Sequence, residues 1–337
     1  MSALPQPQPG VSDAATTTYF THVASPQEMA AQHHAVTTWQ AWQELSQALE
    51  PVLMRPTACP QFVGTLDVLA RRLHQLTQQD QDLAILHLVC PSDDKISRYS
   101  TLHAIHTAML ISLIAQRKEW GEPRALLGIQ AALTMNLSLM QLQLELAAQQ
   151  APLSEAQRNE VHDHPLKSRR MLVELGVDHP DWLQAVAEHH EQSDGKGYPL
   201  GIDTPHPLAD AIHTCDLFGA KLSPRVGRAS LLSPRAAAEI FRQRSVGYFG
   251  ATIIRELGLY PPGCLVELAS GEQAVVVRRM PDQNAPDVVV LRDQFGSPLD
   301  TLVRSHTRRD SGRHIVSASL DQSWSPGALL PGILALA

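Results

Sequence analysis

Apolar side chains recur at helical spacing along most of this chain. Spacings of three and four define a first stripe, Trp39, Trp42, Leu45 and Leu49, and a second helical stretch runs from about Phe62 to Val89. Such spacing places apolar side chains on one face of a helix. After a break at residues 90–94 the helical pattern returns and continues to about Leu259. These patterns predict a mainly α protein.

The pattern changes to strand-like spacing after Tyr260–Gly263. Three short apolar runs between residues 265 and 291 are separated by turn signals, such as Ser270-Gly271 and the Pro281–Pro286 segment. Runs of this length between Gly- and Pro-rich turns indicate strands. We therefore expect a small antiparallel β extension of three or more strands after the helical region.

These shifts in pattern divide the chain into five segments. The Gln- and Pro-rich start cannot bury a core, and the pattern fades again after about Arg309. We predict a disordered tail (1–25), an N-terminal helical domain (26–92), a second helical domain (93–260), the small β extension (261–308) and a loose tail (309–337).

Composition and charge argue against several classes of protein. The formal net charge of −7 gives no broad electrostatic basis for binding nucleic acid. No run of about 18 apolar residues occurs, so no membrane insertion is expected. No Lys or Arg precedes Arg55, so the basic region of a secretory signal is missing, and the four cysteines form no CxxC pair. The expected location is the cytoplasm, with reduced thiols.

The strongest chemical signal is a histidine pair followed by a glycine-rich turn. His189 and His190 end a helix-like stretch, and Gly195, Gly197 and Pro199 follow closely. Neutral imidazole is a strong ligand for first-row metals. Adjacent side chains on a helix point about 100° apart, so they converge only on a site between them. A metal site here would need further ligands from elsewhere in the chain.

The segment His189–Pro199 resembles the HHExxDGxGYP signature of the HD-GYP phosphodiesterases, a branch of the HD metal-phosphohydrolase superfamily. The similarity extends to His164-Pro165, to the Leu-Ser-x-x-Gln segment at 153–157, and to Asp216 in an ADxxDA-like helix, and it covers about Ser97 to Thr301. It implies that residues 93–260 form an HD-type helical bundle. It also implies a set of metal ligands from separate helices: His103, His164, His189, His190 and Asp216.

The resemblance assigns two further features. Arg225 and Arg228 match positions where relatives place basic side chains near the phosphates of a ligand, and the guanidinium fork suits phosphate. A solvated basic helix end is the alternative interpretation of these two arginines. In relatives the GYP turn lies beside the pocket and has been considered a protein-contact surface; here it comprises Asp194, Gly195, Gly197, Tyr198 and Pro199.

One helix departs from the family pattern. Relatives read AALLHDIGK there, with an Asp that bridges two metal ions and a Lys that assists at the phosphate, whereas this chain has Met135, Asn136 and Leu139 in place of the His, Asp and Lys. Methionine is a weak, soft ligand, and a neutral amide oxygen bridges two dications poorly. Leucine removes a charge that would stabilise a phosphoryl transition state. We therefore assign no catalytic residue and interpret these three positions as degenerate.

The resemblance leaves two functions open. In the first, which the triple loss favours, the protein is non-catalytic and acts in cyclic di-GMP signalling. It would be a nucleotide sensor, or would present its GYP turn to a diguanylate cyclase or another signalling protein. In the second, it is a residual metal-dependent phosphodiesterase that hydrolyses cyclic di-GMP or its linear product.

One zinc or iron ion is a candidate cofactor, because three histidines and a carboxylate can hold a single ion. The alternative is that no cofactor binds and that the histidines persist as hydrogen-bonded core residues. The helices before residue 93 could also support a homodimer.

Overall fold

A computed structural model describes residues 26–90, 96–222, 247–281, 285–308, 312–319 and 326–337. The predicted disordered tail, 1–25, lies outside these residues. Helices make up most of what is described, and a five-stranded antiparallel sheet follows them, as the sequence predicts.

The helices among the described residues up to 257 form the larger part of the fold. In chain order they are α1 (Pro26–Met54), α2 (Phe62–Gln79), α3 (Gln81–Val89), α4 (Tyr99–Arg117), α5 (Glu122–Thr134), α6 (Met140–Ala148), α7 (Glu155–Glu174), α8 (Pro180–Glu188), α9 (Pro207–Leu222) and α10 (Gly247–Leu257).

Helix α4 is the central helix of the bundle. All of its residues from Tyr99 to Ala115 are buried, and it packs against α2, α5, α9 and α10. This explains why its sequence carries apolar residues on every side rather than one stripe. A residue on α4 can therefore face neighbours from several helices at once, which places His103 well for a shared site.

Two helix starts follow from local side-chain chemistry. Asp80 ends α2 and caps α3, because its carboxylate accepts from the backbone N–H groups of Asp82 and Leu83, both at 3.1 Å. Ser154 caps α7 in a reciprocal box with Gln157. This capping box corresponds to the Leu-Ser-x-x-Gln segment at 153–157. It sets the start of α7, the helix that carries His164.

The sheet has the strand order β4-β3-β2-β1-β5. Its strands are β1 (Leu265–Leu268), β2 (Gln273–Arg278), β3 (Asp287–Arg292), β4 (Pro298–His306) and β5 (Ile315–Ala318). Alternation sends Val275 and Val289 to a core shared with α1 and α3, while Val276 and Val288 enter a second core on the opposite face. The sheet is therefore buried on both faces in its central strands.

The prediction of a loose tail over 309–337 is wrong for the part of it that the structure describes. Strand β5 pairs with β1, and a short helix, α11 (Leu330–Leu336), packs against α1 and β4. Ile333 and Leu334 are buried in the core shared with α1 and α3. These elements are four and seven residues long, too short to produce a recognisable period in sequence, and only packing on distant elements stabilises them.

One stretch, Glu122–Ala148, is long and apolar enough by composition to cross a membrane. Of that window 78% is buried inside the protein. It spans α5 and α6, whose side chains pack in the bundle core, so the apolar composition is accounted for by burial.

Candidate metal centre

Four helices bring the histidines and the aspartate together. His103 comes from α4, His164 from α7, and Asp216 from α9, while His189 caps the carboxyl end of α8 and His190 follows it. His103, His164 and His189 are each at most 1% exposed. His103 and Asp216, 113 positions apart in sequence, are thus both buried and in contact.

Three imidazoles lie within reach of a single ion. One ligand nitrogen of each of His164, His189 and His190 lies within 4.8 Å of the other two. The ring centroids are 4.2 Å apart for His189 and His190 and 5.1 Å apart for His164 and each of the others. The structure therefore juxtaposes three of the five ligands that the resemblance implies.

The proline after His164 explains how that ring is oriented. Pro165 has no N–H, so the carbonyl oxygen of Val161, four residues back in α7, receives no helical hydrogen bond from it. That oxygen instead lies 2.6 Å from His164 Nδ1. A carbonyl oxygen can only accept, so Nδ1 carries the proton and Nε2 presents a lone pair to the site.

His189 is oriented in the same way by the end of α8. Because the helix ends at Glu188, the carbonyl of Val186 is one of its last, otherwise unpaired acceptors, and His189 Nδ1 donates to it at 2.7 Å. Nε2 of His189 is then also unprotonated when the ring is neutral. Both histidines share one tautomer, fixed by backbone carbonyls.

Burial keeps the three rings neutral. It lowers the pKa of His164 to about 4 and that of His189 to about 3, and the neighbouring His164 contributes to the shift of His189. The pKa of His190 is also lowered well below its usual value, by burial and by His189 beside it. At neutral pH all three offer lone pairs rather than charges.

The contact between two of these lone pairs is the feature that fits a metal. Nε2 of His164 and Nε2 of His189 are 3.1 Å apart, and with both rings neutral neither atom has a proton to donate. Two lone pairs at that distance repel each other unless a cation lies between them. Two nitrogen ligands of a tetrahedral zinc ion are about 3.3 Å apart, given bonds of about 2.0–2.1 Å. The donor set therefore fits one first-row metal ion.

His103 and Asp216 form a separate pair beside the three rings. Nε2 of His103 lies 2.6 Å from Oδ1 of Asp216. Burial by itself would raise the pKa of Asp216, but the hydrogen bond from His103 and the nearby His190 and His189 lower it well below its usual value. Asp216 is therefore an anion next to the histidines, and His103 holds it in place.

The GYP turn is attached to the site by Glu191. Its two carboxylate oxygens accept from the backbone N–H groups of Leu200, at 2.6 Å, and Ile202, at 3.1 Å. Gly197 fits against the start of the turn so closely that a Cβ there would lie 2.4 Å from the Cα of Glu191. The sequence motif is thus a compact loop pinned to the end of α8.

Tyr198 in the turn lies directly against the histidine cluster. Its ring stacks on His190, with centroids 4.5 Å apart, and on His162 on the other side, at 5.5 Å. Burial, and the anion of Asp216, raise its pKa. Gly195 takes a positive φ of 71°, and Asp194 accepts from the backbone N–H of Lys196. The turn that carries the family signature therefore packs one aromatic ring onto a candidate ligand.

Met135, Asn136 and Leu139, the positions interpreted as degenerate from the sequence, follow the end of α5 and lie in the short turn after it. Met135 is fully buried in the main apolar core, and Leu139 is 7% exposed. Asn136 is also buried, and its side-chain oxygen has no hydrogen-bond partner within the described parts of the chain. Met135 is thus packed in the main apolar core, and Leu139 is buried outside the apolar clusters among the described residues.

Arg225 and Arg228, the predicted phosphate contacts, lie outside the described residues. Sequence reasoning did not single out His213, one turn before Asp216 on α9, whose Nδ1 lies 3.0 Å from the carbonyl oxygen of His189. The role of Glu191, whose carboxylate holds the GYP turn to the end of α8, was also not predicted from the sequence. The sequence contains a signal for His213, its i, i+3 spacing from Asp216, but that spacing is common in helices.

Comparison with known proteins shows which family model and which curated relative this chain matches. The family model described as HD domain matches residues 66–252, which is more than half of the chain and includes α3 and most of α2. A curated relative, the cyclic di-GMP phosphodiesterase PA4108 of Pseudomonas aeruginosa, is 26% identical over 189 residues. The match covers 54% of this chain and 45% of that protein, so the chain matches less than half the length of this relative.

A solved structure supports the same fold. Bd1817, a HDG"Y"P protein from Bdellovibrio bacteriovorus, superposes with a TM-score of 0.52 over 67% of this chain and 71% of that one, at 15% identity. At this identity the likeness concerns the fold. From the family match and the agreement in fold, we conclude that this chain belongs to the HD-domain family.

Proposed function

We propose that this protein is a non-catalytic module of cyclic di-GMP signalling that retains a site for a single metal ion. It would bind the nucleotide as a sensor, or present the GYP turn to a signalling partner such as a diguanylate cyclase. The nucleotide is taken from the relative in Pseudomonas aeruginosa, whose name gives cyclic di-GMP as its substrate.

The observation that carries the proposal is the burial of Met135 in the apolar core. Met135 is 0% exposed and belongs to the main apolar core. It therefore serves packing rather than a water-filled metal site. Leu139, where relatives have a lysine, is also buried, at 7% exposure. Loss of the bridging carboxylate removes the anion that would make two adjacent dications tolerable.

The three neutral imidazoles support the single ion. His164, His189 and His190 would hold it, with the anion of Asp216 alongside to balance its charge. Nitrogen donors favour late first-row ions such as zinc or iron over magnesium. Whether His103 also contacts the ion stays a prediction, because its Nε2 is bonded to Asp216.

A residual phosphodiesterase is the second candidate, and the survival of the same ligands favours it. When bound, one ion supplies positive charge to a phosphate oxygen and lowers the pKa of water at the site. In this chain the carboxylate of Asp216, held by His103, would then balance the charge of the ion, and Tyr198 would cover one side of His190. The absence of a second ion and of the lysine predicts a rate many orders of magnitude lower than that of a two-metal relative.

Restoring the lost residues tests the proposal. We expect the purified wild-type protein to take up about one equivalent of zinc and to leave cyclic di-GMP intact. The variant Met135→His/Asn136→Asp/Leu139→Lys should take up two equivalents and gain hydrolysis, because the rest of the scaffold is in place. Elemental analysis measures the first quantity, and chromatography of the nucleotide measures the second.

The matched control adds His189→Ala to the triple variant, which should abolish both gains. Circular dichroism shows whether the triple variant folds; if it does not, the double variant without Leu139→Lys replaces it. Hydrolysis by the wild type that disappears in His189→Ala would contradict the non-catalytic proposal and support the residual enzyme. Titration with labelled cyclic di-GMP separates the sensor from the partner version, since Arg225→Ala/Arg228→Ala should weaken binding only in the sensor.

A further inference from the structure

His190 is the ligand whose orientation the backbone does not explain. His164 and His189 each donate Nδ1–H to the carbonyl three residues earlier, that of Val161 and that of Val186. Histidines that bind metals almost always donate their second ring N–H to such an acceptor, which fixes both tautomer and ring position. No hydrogen bond of this kind is described for the ring of His190.

His213 lies beside the ring of His190, although beyond hydrogen-bond distance of it in this structure. It is 5% exposed, and its ring is perpendicular to that of His190, at 89°, with the two centroids 6.2 Å apart. It comes from α9, on the same side of that helix as Asp216. The spacing of three residues means that one face of α9 turns both side chains towards the histidine cluster.

The hydrogen bonding of His213 determines which of its atoms is available. Nδ1 donates to the carbonyl oxygen of His189 at 3.0 Å, so Nδ1 carries the proton of the neutral ring. Nε2 then presents a lone pair, and it is buried with no hydrogen-bond partner among the residues that the structure covers. Leaving a buried acceptor without a donor destabilises the folded state. Such a group calls for a donor close by.

The carbonyl that His213 holds belongs to the peptide joining the two ligands. By anchoring the oxygen of His189, His213 fixes the plane of the bond between His189 and His190. One side chain thus touches the backbone that separates the two ligands and stands beside the ring of the second one.

We propose that His213 is a positioning residue for the metal centre: its Nδ1–H anchors the His189–His190 peptide, and its Nε2 accepts the second ring N–H of His190 after that ring shifts towards it on binding the ion. The inference rests on the proposed single-metal site and concerns how His190 is held there. His213 would do from α9 what the carbonyls of Val161 and Val186 do within their own helices.

Three substitutions separate the two contacts of His213. Asparagine places its amide nitrogen near the position of Nδ1, so His213→Asn keeps the bond to the His189 carbonyl and loses the acceptor. Glutamine places its amide oxygen near the position of Nε2, so His213→Gln restores the acceptor. His213→Leu removes both contacts while preserving buried volume.

The experiment measures zinc affinity and stoichiometry on the full chain, stripped with a chelator and titrated against a coloured zinc indicator. We expect His213→Leu and His213→Asn to bind zinc about 10- to 100-fold more weakly than the wild type, with one equivalent retained at saturation, as for losses of outer partners elsewhere. His213→Gln keeps the acceptor and loses the anchor, so it should bind zinc more tightly than His213→Leu and less tightly than the wild type. Titration with Co²⁺ should show a changed visible spectrum in the first two variants and one closer to that of the wild type in the third.

A matched control is His33→Asn, which makes the same chemical change at an exposed position on α1 and should leave both readouts unchanged. Equal zinc affinity in the wild type and in His213→Leu would overturn the inference while leaving the metal site intact. Wild-type affinity in His213→Asn would overturn the acceptor role and reduce His213 to a backbone anchor. A wild-type protein that binds no zinc would overturn both the inference and the proposed single-metal site.

Discussion

Gly197 is the position in the GYP turn that leaves no room for a side chain. A Cβ there would lie 2.4 Å from the Cα of Glu191 and 2.5 Å from the backbone nitrogen of Gln192. Both neighbours are backbone atoms and cannot rotate away, so Gly197→Ala must displace the turn. We expect a loss of about 3 kcal/mol in the free energy of unfolding, together with weaker zinc binding because Tyr198 packs on His190. Denaturant unfolding and zinc titration measure the two effects.

The control for this residue is Gly64→Ala, since a Cβ at Gly64 in α2 meets no atom within 4 Å. That change should stabilise the protein by up to about 1 kcal/mol, because alanine favours a helix more than glycine. A Gly197→Ala protein as stable as the wild type, with unchanged zinc binding, would show that the turn is not tied to the site as we describe.

Some individual residues of the candidate site can be predicted from the sequence, and others cannot. His164, His189 and His190 stand in contiguous motifs, and the structure brings their ring nitrogens together. His213 has no motif, because its role depends on a carbonyl 24 positions away in another helix. Glu191 belongs to the motif, yet its partners Leu200 and Ile202 become evident only when the loop closes.

Among the elements, the junction of α2 and α3 shows how one side chain divides a helix. The apolar pattern predicts one helical stretch from Phe62 to Val89, but the carboxylate of Asp80 accepts from the N–H groups of Asp82 and Leu83 and starts a new helix there. Asp80→Ala should lower the free energy of unfolding by about 1 kcal/mol, through the loss of the cap. Chemical unfolding followed by circular dichroism measures the change.

Asp80→Asn is the matched variant, since asparagine caps helices about as well as aspartate. It should retain most of the stability. If the alanine variant matched the wild type, the junction would owe its shape to packing alone, and the cap would be incidental.

Helix and strand periodicity succeeds for long elements and fails for short ones. The bundle helices and the valine-rich strands β2 and β3 each repeat their pattern often enough to be recognised. Strand β5 has four residues with intermediate or high exposure, and its pairing with β1 closes across about fifty positions of sequence. Neither its length nor its composition distinguishes it from a loop.

In the whole molecule, the sheet and the helices share one of the apolar cores, and we expect them to unfold together. Leu83 and Leu86 of α3 pack with Val275 and Val289 of the sheet. Arg279 crosses the same junction, with hydrogen bonds to Asp82 at 2.5 Å, to Gln81 at 2.9 Å and to the carbonyl of Glu256. A charged group with this many partners resists separation of the two parts.

Two buried thiols report separately on the unfolding of the helical bundle and of the sheet. Cys215 lies in α9 and Cys264 just before β1, and both are 0% exposed. Burial raises the pKa of each thiol, that of Cys264 to about 12. Since the thiolate is the reactive form, neither should be labelled at pH 8 in the folded protein. As denaturant is added, mass spectrometry of labelled peptides should give the same midpoint for both.

Arg279→Ala should separate the labelling midpoints of Cys215 and Cys264. Losing hydrogen bonds to charged and backbone partners weakens the junction by about 2 kcal/mol, so Cys264 should become reactive at a lower denaturant concentration than Cys215. Arg292→Ala, which removes only a bond within the β3–β4 hairpin, to the carbonyl of Gly296, should leave the midpoints equal. Different midpoints already in the wild type would mean that the sheet unfolds as an independently stable unit. Its contacts with α1 and α3 would then not couple its unfolding to that of the bundle that carries the histidine cluster.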